Sequence, residues 1–340
     1  MQPFHYAKPA SLAEALVAER KTSRENPDAP SAFLAGGTTL VDLMKLDVMR
    51  SQRIVDLNDL ADEFGDIRFD GVYLRLGAFA KMADVASHPE VRANFPVIAQ
   101  SLSLAASAQL RNMATLGGNV LQRTRCPYYR DTSWAACNRR TPGSGCAAIG
   151  GANRQHAVLG TSEHCIATYH GDFAQALLAL DALVLLVGPD GNRTVPFGSI
   201  HRLPGDSPQH ETNLLSGEII TEFVVPAGAW TRRSLYLKVR DRQSYEFAVA
   251  SSAVALDIDD GIVRTARIAL GGVATVPWRT GEAEDILNGN AMDEQRAMRA
   301  ARAAFATSVP QSHNAFKIAL GQSTMVRALL QAASMEVHHD

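Results

Sequence analysis

The chain has 340 residues, enough for two or three domains, and its 46% hydrophobic and 20% charged content is that of an ordinary globular protein. A formal net charge of -2 argues against a nucleic-acid-binding surface, because neutralising phosphates needs a net-basic face. The longest apolar run, Leu177 to Val187, is interrupted by Asp181 and reaches about half of the ~20 residues that a membrane span requires, so no membrane span is expected.

The opening segment MQPFHYAKPASLAEAL lacks the charged-then-apolar pattern and small-residue cleavage site of a signal peptide. The expected compartment is the cytoplasm, or the periplasm by co-export with a signal-bearing partner subunit. Ser11 to Arg20 predicts a helix with Ser11 as N-cap and Glu14 as its capping-box partner. Ser31 to Ala35 predicts a short strand, followed by Gly36-Gly37, a helix from about Thr39 to Leu46 and a strand at Ile54 to Leu57. This is a small α/β unit covering about 1–60.

A second unit runs from about 61 to 227. In Gly71 to Leu76 the apolar Val72, Leu74 and Leu76 alternate with Tyr73 and Arg75, the period of a strand. Met82 to Ala86 and Val91 to Ala108 read as helical, Asp172 to Asp181 as a helix, and Leu183 to Val187 as a buried strand ending at the turn Pro189-Asp190-Gly191. Between them Arg123 to Asn153 has no regular period and is rich in Gly, Pro, Arg and Cys. It reads as an ordered insertion (122–166 with its flanks).

Composition shifts after Pro226. Ser234 to Val239, Ala248 to Asp257 and Ile262 to Leu270 predict three strands, with Asp259-Asp260-Gly261 as the hairpin turn between the last two. Helices at about Asp293 to Ala306 and Asn314 to Ala333 complete a C-terminal domain of 228–335.

Two glycine loops stand out. Ala35-Gly36-Gly37-Thr38-Thr39-Leu40 lies between a strand and a helix, where glycines permit close backbone approach to a ligand and helix-start N–H groups suit an anion. Its spacing is neither GxGxxG nor a Walker A loop. On its own it reads more readily as a turn with an N-cap. The second loop, Thr115-Leu116-Gly117-Gly118-Asn119, admits the same plain reading. Two such loops in one chain nevertheless fit one extended diphosphate cofactor.

The segments AGGTTLVDLMK, QLRNMATLGGNV, GDFAQALLALDA, LKVRDRQSYEFAVAS and GGVATVPWR, in this order, resemble the FAD subunits of the xanthine dehydrogenase, carbon monoxide dehydrogenase and aldehyde oxidoreductase family. The resemblance covers most of residues 1–335. It implies an α+β protein: a two-subdomain FAD-binding domain of the vanillyl-alcohol-oxidase (PCMH) type, then the C-terminal domain of CO dehydrogenase flavoproteins with a three-stranded sheet and helices. It also implies that Ala35, Gly36, Gly37, Thr38, Thr39 and Leu40 hold the FAD diphosphate, that Thr115, Gly117, Gly118 and Asn119 form the second cofactor loop, that Asp172 meets ribityl or ribose hydroxyls, and that Lys238 lies near the flavin. Without it, Asp172 reads equally well as an N-cap and Lys238 as a solvated side chain. Tyr245-Glu246-Phe247 falls where the family contacts the isoalloxazine ring, although strand packing is the default for such residues.

The chain's four cysteines, Cys126, Cys137, Cys146 and Cys165, all fall in or beside the insertion. Their gaps of ten, eight and eighteen residues match neither zinc-finger pairs nor compact ferredoxin spacing. Four thiolates around a cubane leave negative charge, for which Arg123, Arg125, Arg130, Arg139 and Arg140 are nearby compensation. Gly143, Gly145, Gly150 and Gly151 free the backbone to wrap such a core. A minority of the family carries an extra [4Fe–4S] cluster on an insertion of this kind, with bacterial aldehyde oxidoreductases of the periplasmic type the nearest. A structural zinc or four unrelated thiols are the competing readings, and His164 beside Cys165 reads as incidental.

The resemblance implies an electron-transfer role. Electrons from molybdenum on a large partner subunit and [2Fe–2S] clusters on a small one reach FAD here and leave to an external acceptor. The alternatives are a self-contained flavin oxidoreductase, for which no acid/base motif is recognisable, and a zinc-stapled scaffold without activity.

Overall fold

A computed structural model describes residues 1–25 and 31–337. The first unit is a three-stranded parallel sheet in the order β1 (His5–Ala7), β3 (Arg53–Asp56), β2 (Ser31–Leu34). A helix at Leu12–Glu25 follows β1 and a short one at Leu40–Lys45 links β2 to β3. The Ser11 hydroxyl accepts the Glu14 N–H at 3.3 Å, while the Glu14 carboxylate accepts from the Ala10 N–H at 2.9 Å. The helix start is therefore closed as the sequence suggests, with the return bond displaced by one residue.

The second unit is an antiparallel sheet in the order β4-β5-β8-β6-β7: β4 (Ile67–Phe69), β5 (Tyr73–Gly77), β6 (Leu183–Gly188), β7 (Gly191–Pro196) and β8 (Ile219–Pro226). β8 pairs with β5 and β6, so the chain returns to the sheet's centre after the insertion. Helices at Pro96–Ser103 and Phe173–Ala179 lie between this unit and the third sheet. The expected single helix over 91–108 is three pieces, Pro89–Asn94, Pro96–Ser103 and Ala108–Met113. The first break is Phe95 (φ -137°, ψ 56°), because the ring of Pro96 pushes its predecessor out of helical geometry, and the second contains Ala106 at φ 48°.

The C-terminal sheet is β9 (Ser234–Val239), β10 (Ala250–Asp259) and β11 (Ile262–Gly271), extended by the two-residue strands β12 (Trp278–Arg279) and β13 (Asn290–Ala291). Three strands are expected and five are present, the extra two being too short to carry a period. Asp260 (φ 48°) and Gly261 (φ 76°) form the hairpin turn, both central residues left-handed, which matches the twist of the flanking strands. A run from Ala250 to Leu256 is buried without alternation. One face of the sheet packs on the helices at Pro96–Ser103 and Phe173–Ala179, the other on a helix at Phe316–Ala333. A strand covered on both sides has no polar face to alternate. Among the described residues no helix is long and apolar enough to cross a membrane.

The insertion contains one helical turn, Pro127–Arg130, and isolated bridges such as Cys137 with Cys146 and Ser162 with Cys165. It is held by side chains of the C-terminal domain. Asn314 Nδ2 donates to the carbonyls of His156 and Ala157, and Lys317 Nζ donates to those of Gln155, His156 and Gly272 at 2.6–3.2 Å. This is the order expected of a segment without regular secondary structure of its own.

Candidate functional site

The two glycine loops meet. A Cβ on Gly36 would stand 2.1 Å from the Met113 carbonyl oxygen, and one on Gly118 would stand 3.0 Å from Thr115 Oγ1 and 4.0 Å from Ala35 Cβ. The loops approach this closely only without side chains at these positions. Gly37 takes φ 72°, and Thr115 Oγ1 accepts the Gly118 N–H at 3.2 Å to open the short helix Leu116–Val120.

A cavity of about 560 Å³ opens beside this junction, lined by Thr38, Thr39, Gly118, Asn119, Arg125 and Asp172 among others. A second of about 220 Å³ adjoins it, sharing Thr38, Thr39 and Gly118, and is lined by Ala35, Gly36, Gly37, Leu40, Thr115 and Gly117. Thus every residue of the two expected loops except the buried Leu116 borders one of these two adjoining cavities. Asn119 Oδ1 is buried in this wall with no protein partner, as is Arg125 Nε. An acceptor and a cationic donor left in this way fit a polar ligand bound between them. The residues present therefore suit an extended dinucleotide.

Asp172 and Lys238 form a buried unit. Lys238 Nζ lies 2.7 Å from Asp172 Oδ2 and 3.0 Å from the Leu104 carbonyl, and its side chain is 0% exposed. Tyr236 donates its hydroxyl to Asp172 Oδ1 at 2.6 Å. Burial raises the Asp172 carboxyl above its usual range, opposed chiefly by Lys238. Asp172 borders the large cavity. Lys238 is not among the residues that line it and serves as the carboxylate's counter-ion, so it is neither a solvated side chain nor a direct wall of the site. Asp172 does not cap its helix through its side chain.

Tyr245, Glu246 and Phe247 all line the cavity. Tyr245 holds φ 52°, and the Phe247 ring meets His170 edge-on at 5.0 Å and lies 5.5 Å from the Arg125 guanidinium carbon. Strand packing is excluded for these residues, since β9 ends at Val239 and β10 begins at Ala250. His170, Gln155 and Lys317 also border the cavity, and nothing local in the sequence marks them. Burial, with Lys317 and Arg125 nearby, holds the His170 imidazole at about 3, and burial brings the Lys317 amine down to about 7.

The four cysteines line one closed pocket. Cys126, Cys137 and Cys165 are buried and Cys146 half-buried. Burial pushes the Cys126 thiol up to about 12, so a metal bound there must displace its proton. Cys126 Sγ is 3.1 Å from His156 Nε2. Among the described residues no three His, Cys, Asp or Glu side chains group around a point where one ion would sit. The four thiols share the pocket without forming such a group.

The arginines expected to offset cluster charge divide. Arg125 and Arg130 bind Asp42 at 3.1 and 2.7 Å, Arg140 donates to the carbonyls of Tyr128 and Tyr129, and Arg123 pairs with Glu211. Arg139 contacts a sulfur: Nη2 is 3.7 Å from Cys165 Sγ. His164 borders the cysteine pocket, and its Nε2 lies 3.4 Å from the exposed Asp206.

Residues 2–228 match the family model described as the FAD binding domain in molybdopterin dehydrogenase, and residues 235–332 match the CO dehydrogenase flavoprotein C-terminal domain. The aldehyde oxidoreductase FAD-binding subunit PaoB of Escherichia coli is 40% identical over 98% of this chain and 99% of its own length. The carbon monoxide dehydrogenase medium chain of Hydrogenophaga pseudoflava is 27% identical over 96% of each chain. A solved structure of that organism's carbon monoxide dehydrogenase superposes with a TM-score of 0.74, covering 98% of this chain and 97% of the other. The chain belongs to the family of FAD-binding medium subunits of molybdenum hydroxylases.

Proposed function

We propose that this chain is the electron-relay subunit of a molybdenum-dependent aldehyde oxidoreductase, holding FAD in the connected cavities and a [4Fe–4S] cluster on Cys126, Cys137, Cys146 and Cys165. The observation that carries the relay is a shared wall. Arg125 lines the large cavity and the next residue, Cys126, lines the cysteine pocket; Gln155 also lines the cavity, and its neighbour His156 brings Nε2 to 3.1 Å from Cys126 Sγ. So little intervening protein supports electron exchange between the two proposed centres over independent duties.

FAD, when bound, supplies the junction between two-electron and one-electron carriers. In this reading the backbone of Gly36, Gly37 and Gly118 admits the diphosphate, with the hydroxyls of Thr38 and Thr39 beside it. Arg125 opposes the phosphate charge, and Asn119 gives its buried amide oxygen a partner. Asp172, fixed by Lys238 and Tyr236, accepts from sugar or ribityl hydroxyls. Tyr245, Glu246 and Phe247 cover the ring and exclude water. The aldehyde assignment follows the name of the 40% identical relative. The organic substrate is oxidised on a large molybdenum subunit, and a small [2Fe–2S] subunit delivers the electrons to this chain, which passes them to an external acceptor.

The route through the cysteine pocket is tested in the assembled complex with Cys137→Ser. Slowed reduction of the acceptor, with reduction of the molybdenum centre by aldehyde unchanged, is expected. Unaltered acceptor kinetics in a complex that has lost the cluster would reduce the insertion to a staple.

A further inference from the structure

Arg139 occupies a position that none of the other four arginines shares. Its side chain is 6% exposed and its guanidinium bridges two acceptors, with Nη2 3.7 Å from Cys165 Sγ and Nη1 2.6 Å from Glu211 Oε2. Glu211 is in turn paired with Arg123, which follows the second glycine loop by four residues. The line from sulfur outward is therefore thiol, cation, carboxylate, cation. A charge held against sulfur in a closed pocket acts at low effective dielectric, where it counts for far more than on the surface.

We infer that Arg139 and Glu211 together set the reduction potential of the cluster at Cys126, Cys137, Cys146 and Cys165, Arg139 drawing it upward and Glu211 restraining that pull. This rests on the proposed cluster. Reduction adds one electron, and with it one negative charge, to a core already ringed by thiolates. A cation on Cys165 favours that extra charge. The carboxylate behind it neutralises part of the cation and weakens the effect. An ion pair present only to hold the fold has no such directional consequence. Removal of either member would then loosen the pocket alike.

The test is a dye-mediated redox titration of the holo complex, followed by the cluster's electron paramagnetic resonance signal, with iron and sulfide measured in each preparation. Arg139→Gln is expected to lower the potential by a tenfold shift of the one-electron equilibrium or more, about 59 mV. Glu211→Gln is expected to raise it, and Arg139→Lys to retain most of the wild-type value. Opposite shifts at full iron content support the inference. Shifts in the same direction, or none, overturn it. If Arg139→Gln fails to keep its cluster, an unmoved potential in Glu211→Gln assigns the pair a packing role and overturns it equally. Wild-type complex lacking iron and sulfide in this chain removes the cluster itself, a separate failure seen before any variant is made.

Discussion

At the scale of single residues, the site depends on charges placed where water does not reach them. Asp172 and Lys238 were each legible as residues of interest only through the family pattern, and their pairing was not legible at all. Lys238 lies on a strand 66 residues away, and nothing in its neighbours shows that it points into the core. Replacing Lys238 by Met leaves Asp172 buried with Tyr236 as its one remaining side-chain partner and is expected to cost about 3–5 kcal/mol. Adding Asp172→Asn to that variant removes the uncompensated charge and is expected to recover most of the loss. Urea unfolding of the wild type and both variants checks this. A single variant no less stable than the double one would show that the pair is not the counter-ion unit described. The arginines make the same point from the other side. Five were equally plausible as charge compensation from sequence. The choice among them came from Asp42, Glu211 and two carbonyls, partners as many as 88 residues distant.

At the scale of elements, the two loops were readable because glycine pairs between a strand and a helix carry a local steric meaning. What the loops pack against was not readable, because the contact of Gly36 with Met113 joins segments far apart in sequence. Gly36→Val is expected to part the loops, since a Cβ there would overlap the Met113 carbonyl, and to abolish FAD retention through purification. The flavin-to-protein ratio measures this, and a variant that keeps a full complement of FAD would contradict the cradle. The strands reveal a similar boundary. β9 to β11 were visible from apolar runs and the Asp259-Asp260-Gly261 turn. β8, at the centre of its sheet, went unassigned because Ile219 to Pro226 is buried nearly throughout and shows no alternation to separate strand from core helix. Pro96 was available in the sequence as the marker of the helix break.

At the scale of the whole molecule, the insertion has little regular structure and gains its order from residues of the C-terminal domain more than a hundred positions further on. Asn314 and Lys317 grip its backbone between Gln155 and Ala157, and Val309 donates to the Val158 carbonyl. The same stretch borders the large cavity through Gln155 and reaches Cys126 through His156, whose Nε2 lies 3.1 Å from Sγ. The C-terminal domain thus fixes the distance between the two proposed centres, although it supplies no cysteine. Sequence spacing could suggest that the four cysteines belong together. Only the folded chain brings them to a common pocket and sets Cys126 beside Arg125, whose guanidinium donates to Thr39 of the first glycine loop. The central claim, that one chain holds a flavin and a four-iron cluster side by side, is tested most directly by an anaerobic absorption spectrum with flavin, iron and sulfide analysis of the purified protein. One FAD with about four irons and four sulfides per chain is the predicted result. A flavin-loaded protein without iron would refute the cluster, and a colourless protein without nucleotide would contradict the account as a whole.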